Sequence, residues 1–180
     1  MIFYLSGGME YKKNLGSNWR DWLTGKLEER RHDAINPIKM EFDDNINGSI
    51  QKELTRLKLE GKLDDVRKIV RRSIFRKDMF GIQQADAIIV YYDEAVQKGA
   101  GTLSEVWESF REGLPIYLVT DFDLEDIPSW LIAETTDIFP DFEELLAYVK
   151  DHSLVVRDIM RAQQVRDEVL GGVYQGGGSN

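Results

Sequence analysis

No cysteine occurs among the 180 residues of the chain. That absence excludes disulfides, thiolate metal sites and cysteine nucleophiles together, and it fits a reducing, cytoplasmic setting. Histidine is nearly as scarce, with only His32 and His152. A His-rich metal site is thereby excluded and a Ser-His-Asp triad disfavoured, and both histidines read as surface or helix-end residues. Positive charge is in deficit, 23 Lys and Arg against 32 Asp and Glu, for a formal net charge of −9. Such a balance argues against a nucleic-acid polymer as partner, because polymer binding needs a basic footprint. A small anionic ligand held by a few local cations stays open. No apolar run approaches the roughly 20 residues that cross a bilayer, and no basic segment precedes the first apolar stretch, so no membrane partner is expected. At 42% hydrophobic residues, the chain is large enough for one domain with its own core.

What is present alternates. "MIFYLSGG" reads as a buried strand ending in a tight loop, and "SNWRDWLTGKLEERRH" as a helix capped by Ser17 or Asn18, with Trp19, Trp22, Leu23 and Leu27 at helical spacing. "DAINPIKM" reads as a second strand broken at Asn36-Pro37, followed by the turn-rich "FDDNINGS". From Ser49 to about Gln84 the pattern is helical and charged, broken at Gly61, with Leu63, Val66, Ile69, Val70 and Ile74 on one face and Arg71, Arg72, Arg76 and Lys77 clustered near the middle. "DAIIVYYD" is the strongest strand pattern, that of a central parallel strand. A glycine loop, the helix "TLSEVWESFREG", the strand "LPIYLVTD", the short helix "LEDIPSWLIAETT", the strand stub "DIFP" and two further helices complete the chain.

The pattern predicts a three-layer α/β fold: a flavodoxin- or Rossmann-like, doubly wound, parallel five-stranded sheet with an extra helical insertion and a C-terminal helix. Residues 1–150 form the α/β domain, with the insertion at about 49–77. Residues 151–170 are a helix packed on that domain or on a partner subunit, and 171–180 a flexible tail. Ligands in such sheets bind at the carboxyl ends of the strands, near the switch in strand order. That rule selects Ser6, Gly7, Gly8 and Met9, then Asn36, then Asp93 through Lys98, Gly99, Gly101 and Thr102, and lastly Asp121.

"KGAGTLSE" contains neither GxGxxG nor GxxxxGK[ST], so a dinucleotide fingerprint and a Walker loop are both absent. It does resemble an anion cradle, since Gly99 and Gly101 permit close backbone approach and Thr102 opens a helix. Glu105 then has two readings: a capping-box partner for Thr102, or a carboxylate over the ligand crevice. Asp78 is either a surface acid paired with Arg71 or Lys77, or a second carboxylate of the same site. Tyr4 is either a core aromatic or a phenol beside the crevice. Two carboxylates and a tyrosine are one set of groups that can break a glycosidic bond.

Across residues 2–149 the chain resembles the nucleoside 2-deoxyribosyltransferases and their nucleoside 5′-monophosphate N-glycosidase relatives. The matching pieces are "IFYLSGG", "NP" after the second strand, "KDMFGI" before "ADAIIVYYDE", "GTLSE", and "PSWLIAETTDIF". The resemblance implies that Glu105 is the nucleophile that takes the sugar, that Asp78 protonates the departing base, and that Tyr4 orients the nucleophile. It also implies that the segment 128–134, with Trp130 as a substrate contact, reaches a neighbouring subunit's site, hence a homodimer or larger homo-oligomer, and that no metal or organic cofactor is needed. Two features depart from the family. The position six residues before the nucleophile, an acid in enzymes of free nucleosides and a serine in monophosphate-cleaving relatives, is Gly99 here, preceded by Lys98. The helical stretch from 49 to 72 is longer than the family core needs, and reads as a lid carrying Arg71, Arg72 and Arg76 over a phosphate or as an oligomer surface. Transfer to a second base and hydrolysis by water both remain open, as does a non-catalytic nucleotide-binding or sensing module on the same fold.

Overall fold

The computed structural model describes residues 1–12, 14–40 and 49–174; most of the turn-rich "FDDNINGS" and the end of the tail lie outside these. The elements in order are β1 (Ile2–Gly7), α1 (Ser17–Glu28), β2 (Asp33–Ile35), α2 (Ser49–Leu59), α3 (Leu63–Ile69), a π-helical turn (Val70–Phe75), α4 (Arg76–Gln83), β3 (Ala87–Tyr91), α5 (Glu94–Lys98), α6 (Gly101–Glu112), β4 (Ile116–Val119), a 3-10 turn (Leu124–Asp126), α7 (Ser129–Glu134), β5 (Asp137–Phe139), α8 (Phe142–Val149) and α9 (His152–Tyr174). All strand pairings are parallel, in the order β2-β1-β3-β4-β5. This is the expected doubly wound, three-layer arrangement, and its order reverses between β1 and β3.

Alternation along β1 divides the interior. Phe3 and Leu5 join a core with Leu23 and Leu27 of α1, Leu145 and Val149 of α8 and Val155 of α9. Tyr4 belongs to the opposite core with Ile82 of α4, Val96 of α5 and Val106 of α6. Ser6, two residues beyond Tyr4, projects to the same side by the period of two.

Several local readings are corrected. The N-cap of α1 is Gly16 at φ 73°, with Ser17 already helical and no side chain capping the turn; the left-handed conformation suits glycine, and it replaces the serine or asparagine cap. Trp22 is 40% exposed, while Arg20 is 1% exposed on the face with Leu23 and Leu27. His32 is buried rather than superficial: its Nε2 lies 2.9 Å from the Val149 carbonyl, and its ring meets Phe3 edge-on and neighbours His152. The segment read as a glycine loop contains α5, and "LEDIPSWLIAETT" splits into the 3-10 turn and α7. Gly61, at φ 71°, does separate α2 from α3. Beyond it, the helical rod from 63 to 83 is continuous but loosened by the π turn, and none of its apolar residues before Ile82 is fully buried. The terminal helix runs past 170 to Tyr174.

α9 is held against its own chain. The buried Asp158 carboxylate accepts hydrogen bonds from Tyr117 of β4 at 3.0 Å and Tyr148 of α8 at 2.7 Å, and pairs with Arg157 at 2.9 Å. Replacing Asp158 by alanine strands the buried Tyr117 hydroxyl, while Tyr148 keeps Arg157 as a partner, so Asp158→Ala is expected to cost about 1–3 kcal/mol. Urea denaturation checks this, and a loss of less than about 0.5 kcal/mol would show that the network does not tie the helix down.

Candidate active site

The reversal between β1 and β3 brings the carboxyl end of β1 beneath the start of α6 and one face of α4. The Tyr4 hydroxyl donates to Glu105 Oε1 at 3.0 Å, and the Ser6 hydroxyl donates to Oε2. Both oxygens of the Glu105 carboxylate are therefore held from β1, by two residues whose side chains share one face of the strand. Glu105 does not reach back to cap its own helix, which starts at Gly101; the capping-box reading is set aside. Asp78, in the first turn of α4, lines the same cavity as Glu105, and the two acids and Tyr4 influence one another's ionisation. Its neighbour Lys77 is 8% exposed and approaches it at 3.9 Å.

Burial pushes the Glu105 carboxyl up to about 8, and the Asp78 charge adds to the shift. The hydrogen bonds from Ser6 and Tyr4, and the more distant Arg20, act against it. Asp78 is raised by burial too, opposed first by Lys77. Two neighbouring acids in a poorly solvated place do not both ionise readily, so the pair titrates as a unit. The Tyr4 phenol is pushed well above its usual value by burial, then by Glu105 and Asp78; it stays a hydrogen-bond donor.

Two contributors escaped the sequence reading. Arg20 is buried with its guanidinium donating to the carbonyls of Leu5 (3.2 Å), Leu15 (3.0 Å), Gly16 (3.3 Å) and Gly7 (2.8 Å), and it lies over the Trp19 ring. It gathers the β1–α1 loop and leaves its charge beneath Glu105, Tyr4 and Asp78, which resist the effect of burial on its ionisation. The signal was available: Arg20 stands three and seven residues before Leu23 and Leu27, on the buried stripe of α1. The second is Gly81 of α4, where a Cβ would come within 2.8 and 3.0 Å of two Tyr4 ring carbons and 3.2 Å of Met40 Sδ. A glycine here lets the Tyr4 ring lie against the helix that carries Asp78.

A cavity of about 1230 Å³ opens in front of the pair, lined by Asp78 and Glu105 together with Gly7, Gly8, Met9, Gly99, Gly101 and Thr102. Tyr4 and Ser6 sit behind Glu105, fully buried. The remaining sequence candidates lie elsewhere. Asp93 caps α5, accepting from the amides of Ala95 and Val96, and pairs with Lys12. Asn36 is buried in a turn, accepting from Ile38 N and donating to Asp21. Lys98 is exposed and outside the cavity lining, as are Arg71, Arg72 and Arg76. Trp130, 72% exposed, bonds Glu134 at 2.6 Å and stands near Trp107. Among the described residues no group of three or more acids or histidines could hold a metal ion, and no helix is long and apolar enough to cross a membrane.

Two outcomes are expected. Because Glu105 is raised from 4.5 to about 8 on folding, the folded state binds the extra proton across that interval, and stability falls as pH rises through it. Glu105→Gln therefore stabilises the fold by an amount that is small near pH 4.5 and reaches about 2–4 kcal/mol above pH 8; denaturation midpoints across pH check the sign. Gly25→Ala on α1, with nothing within 4 Å of the added Cβ, is expected to gain about 0.5–1 kcal/mol. Gly81→Ala is expected to lose about 1–3 kcal/mol through the clash with Tyr4, and equal gains at the two sites would refute the packing assigned to Tyr4.

No protein-family model matches the sequence, and no curated protein does. A solved 2-deoxyribosyltransferase from the psychrotolerant bacterium Bacillus psychrosaccharolyticus has a TM-score of 0.60 at 17% identity, covering 86% of this chain and 96% of that one. A conserved protein from Enterococcus faecalis has a TM-score of 0.54 at 11% identity, covering 84% and 98%. A CMP N-glycosidase from Clostridium botulinum has a TM-score of 0.47 at 15% identity, covering 83% and 97%. The chain thus shares its fold, though little of its sequence, with a solved 2-deoxyribosyltransferase.

Proposed function

We propose that the protein cleaves the N-glycosidic bond of a nucleoside or nucleoside 5′-monophosphate through a covalent glycosyl-Glu105 intermediate. The observation that carries the reading is the clamp on Glu105: both carboxylate oxygens are held from β1 while the group faces the cavity beside Asp78. Tyr4 and Ser6 fix the angle of attack, and Asp78 supplies the proton.

In the first step a Glu105 oxygen bonds to the sugar C1′ as the C1′–N bond breaks, and the bonding pair leaves with the base. The Asp78 carboxyl gives its proton to a nitrogen of that base, so the base departs neutral. In the second step a nitrogen of another base, or the oxygen of water, bonds to C1′ from the vacated side. Asp78 takes the proton of the incoming group and the C1′–Oε bond breaks, returning the Glu105 carboxylate. A Glu105 carboxylate held at both oxygens and facing the cavity supports this double displacement, since the attacking group is already aimed. The reaction draws on no metal or cofactor. The 5′ end of the substrate is assigned to Gly101 and Thr102 in the first turn of α6, where the helix start suits a hydroxyl or a phosphate, with Gly99, whose own N–H donates to Val96, alongside. The exposed Trp130 segment, which the family resemblance carries to a neighbouring site, fits a homo-oligomer, and we place the activity in the cytoplasm. A nucleotide-sensing module would gain nothing from forcing two carboxyl groups together.

Base release from a panel of nucleosides and 5′-monophosphates, with and without an acceptor base, tests the reading. Release is expected from the wild type, to fall at least about 10³-fold in Glu105→Ala and about 10–10²-fold in Tyr4→Phe. The acceptor lanes separate transferase from hydrolase. Because the active pair carries one proton, the rate is expected to be bell-shaped in pH with its alkaline limb near 8. Tight nucleotide binding with no release from any substrate would leave the sensing module instead.

A further inference from the structure

We propose that the site accepts nucleosides, or their 5′-monophosphates, whose base carries a large apolar substituent. This rests on the glycosidic reading, in which Asp78 marks the side of the leaving base. Val70, Ile74 and Asp78 follow one another at intervals of four along the continuous rod of α3, the π turn and α4, and all three line the cavity. The row extends roughly 12 Å from Asp78 at 1.5 Å per residue. Ile50 and Leu54, four apart on α2, and Ile38 and Met40 beyond β2 line the same cavity, with Gln51 the polar exception on α2.

These six apolar side chains offer an entering base no donor or acceptor. A base presenting only polar edges to such a wall would lose water without a replacement, whereas an aryl or branched alkyl group would gain by burial there. The cavity, at about 1230 Å³, also exceeds the roughly 300–1,000 Å³ usual for a small-molecule site. Its size alone would equally admit a second phosphate, as in a dinucleotide, but each lysine of the lining has an acid partner, Lys77 lying 3.9 Å from Asp78. Lys39 pairs with Asp21 at 2.8 Å and Lys58 with Glu10 at 2.6 Å. The extension is therefore mostly apolar and lies on the base side, continuous with the acid that protonates the base.

The test is calorimetric binding to Glu105→Gln, which holds its ligands without consuming them. Adenosine is compared with N6-benzyladenosine and cytidine with N4-benzylcytidine, each also as the 5′-monophosphate. At least one substituted ligand is expected to bind about tenfold or more tightly than its parent. That preference is expected to fall towards unity when Ile74→Gln or Val70→Gln is added, with binding of the parent little changed. Equal or weaker binding of every substituted ligand overturns the proposal, as does a preference that survives both glutamine variants. The parent reading fails separately, on base release by the wild type: a binding preference without release would uphold the pocket and sink the reaction, and release without the preference would do the reverse.

Discussion

The arrangement turns on one carboxylate held from both of its oxygens. Tyr4 and Ser6 reach Glu105 because strand alternation puts them on the same side of β1, and because β1 lies beside β3, whose continuation leads to α6. Everything nearby serves or pays for that contact. Gly81 clears space for the Tyr4 ring, Arg20 draws the loop carbonyls together beneath the site, and α4 brings Asp78 against the same pair. A carboxylate so held presents a defined lone pair to the cavity, which a side chain free to rotate would not do.

The electrostatic arrangement favours chemistry over stability. Burial and mutual repulsion raise both acids, and the structure answers with hydrogen bonds and with two cations, Lys77 close by and Arg20 at greater distance. Neither cation makes a close ion pair with Glu105; a tight pair would return the glutamate to the ordinary carboxylate range and remove the proton on which the proposed reaction relies. Loss of stability concentrated at an active site is a common compromise. Here it is confined to one end of the sheet, while Asp158 and its tyrosines secure the opposite layer.

Much of the architecture was legible in the sequence because its signals were periodic. Strand alternation in "IFYLSGG", the apolar run "AIIVYY" and the break at Gly61 each had a local cause. Glu105, Asp78 and Tyr4 lie in the segments that carry the family resemblance, and in the structure Tyr4 donates to Glu105, which shares a cavity with Asp78. What could not be read depended on tertiary packing. The place of Arg20 on the apolar stripe of α1 is legible, but the carbonyls its guanidinium gathers, of Leu5 and Gly7 as well as Leu15 and Gly16, are set by packing. Asp93, a plausible ligand by position, is engaged by the α5 amides and Lys12, and Asn36 is engaged by its own turn. The π turn has no residue signature; it emerges where the long rod passes over the cavity.

The most direct measurement is peptide mapping by mass spectrometry after incubation with a 2-fluoro-substituted nucleoside, whose electron-withdrawing fluorine slows the second displacement. A sugar adduct on the peptide containing Glu105, absent from Glu105→Gln and discharged by an added acceptor base or by water, is the predicted result. Steady release of base by the wild type with no adduct on Glu105, or an adduct on another residue, would contradict the account.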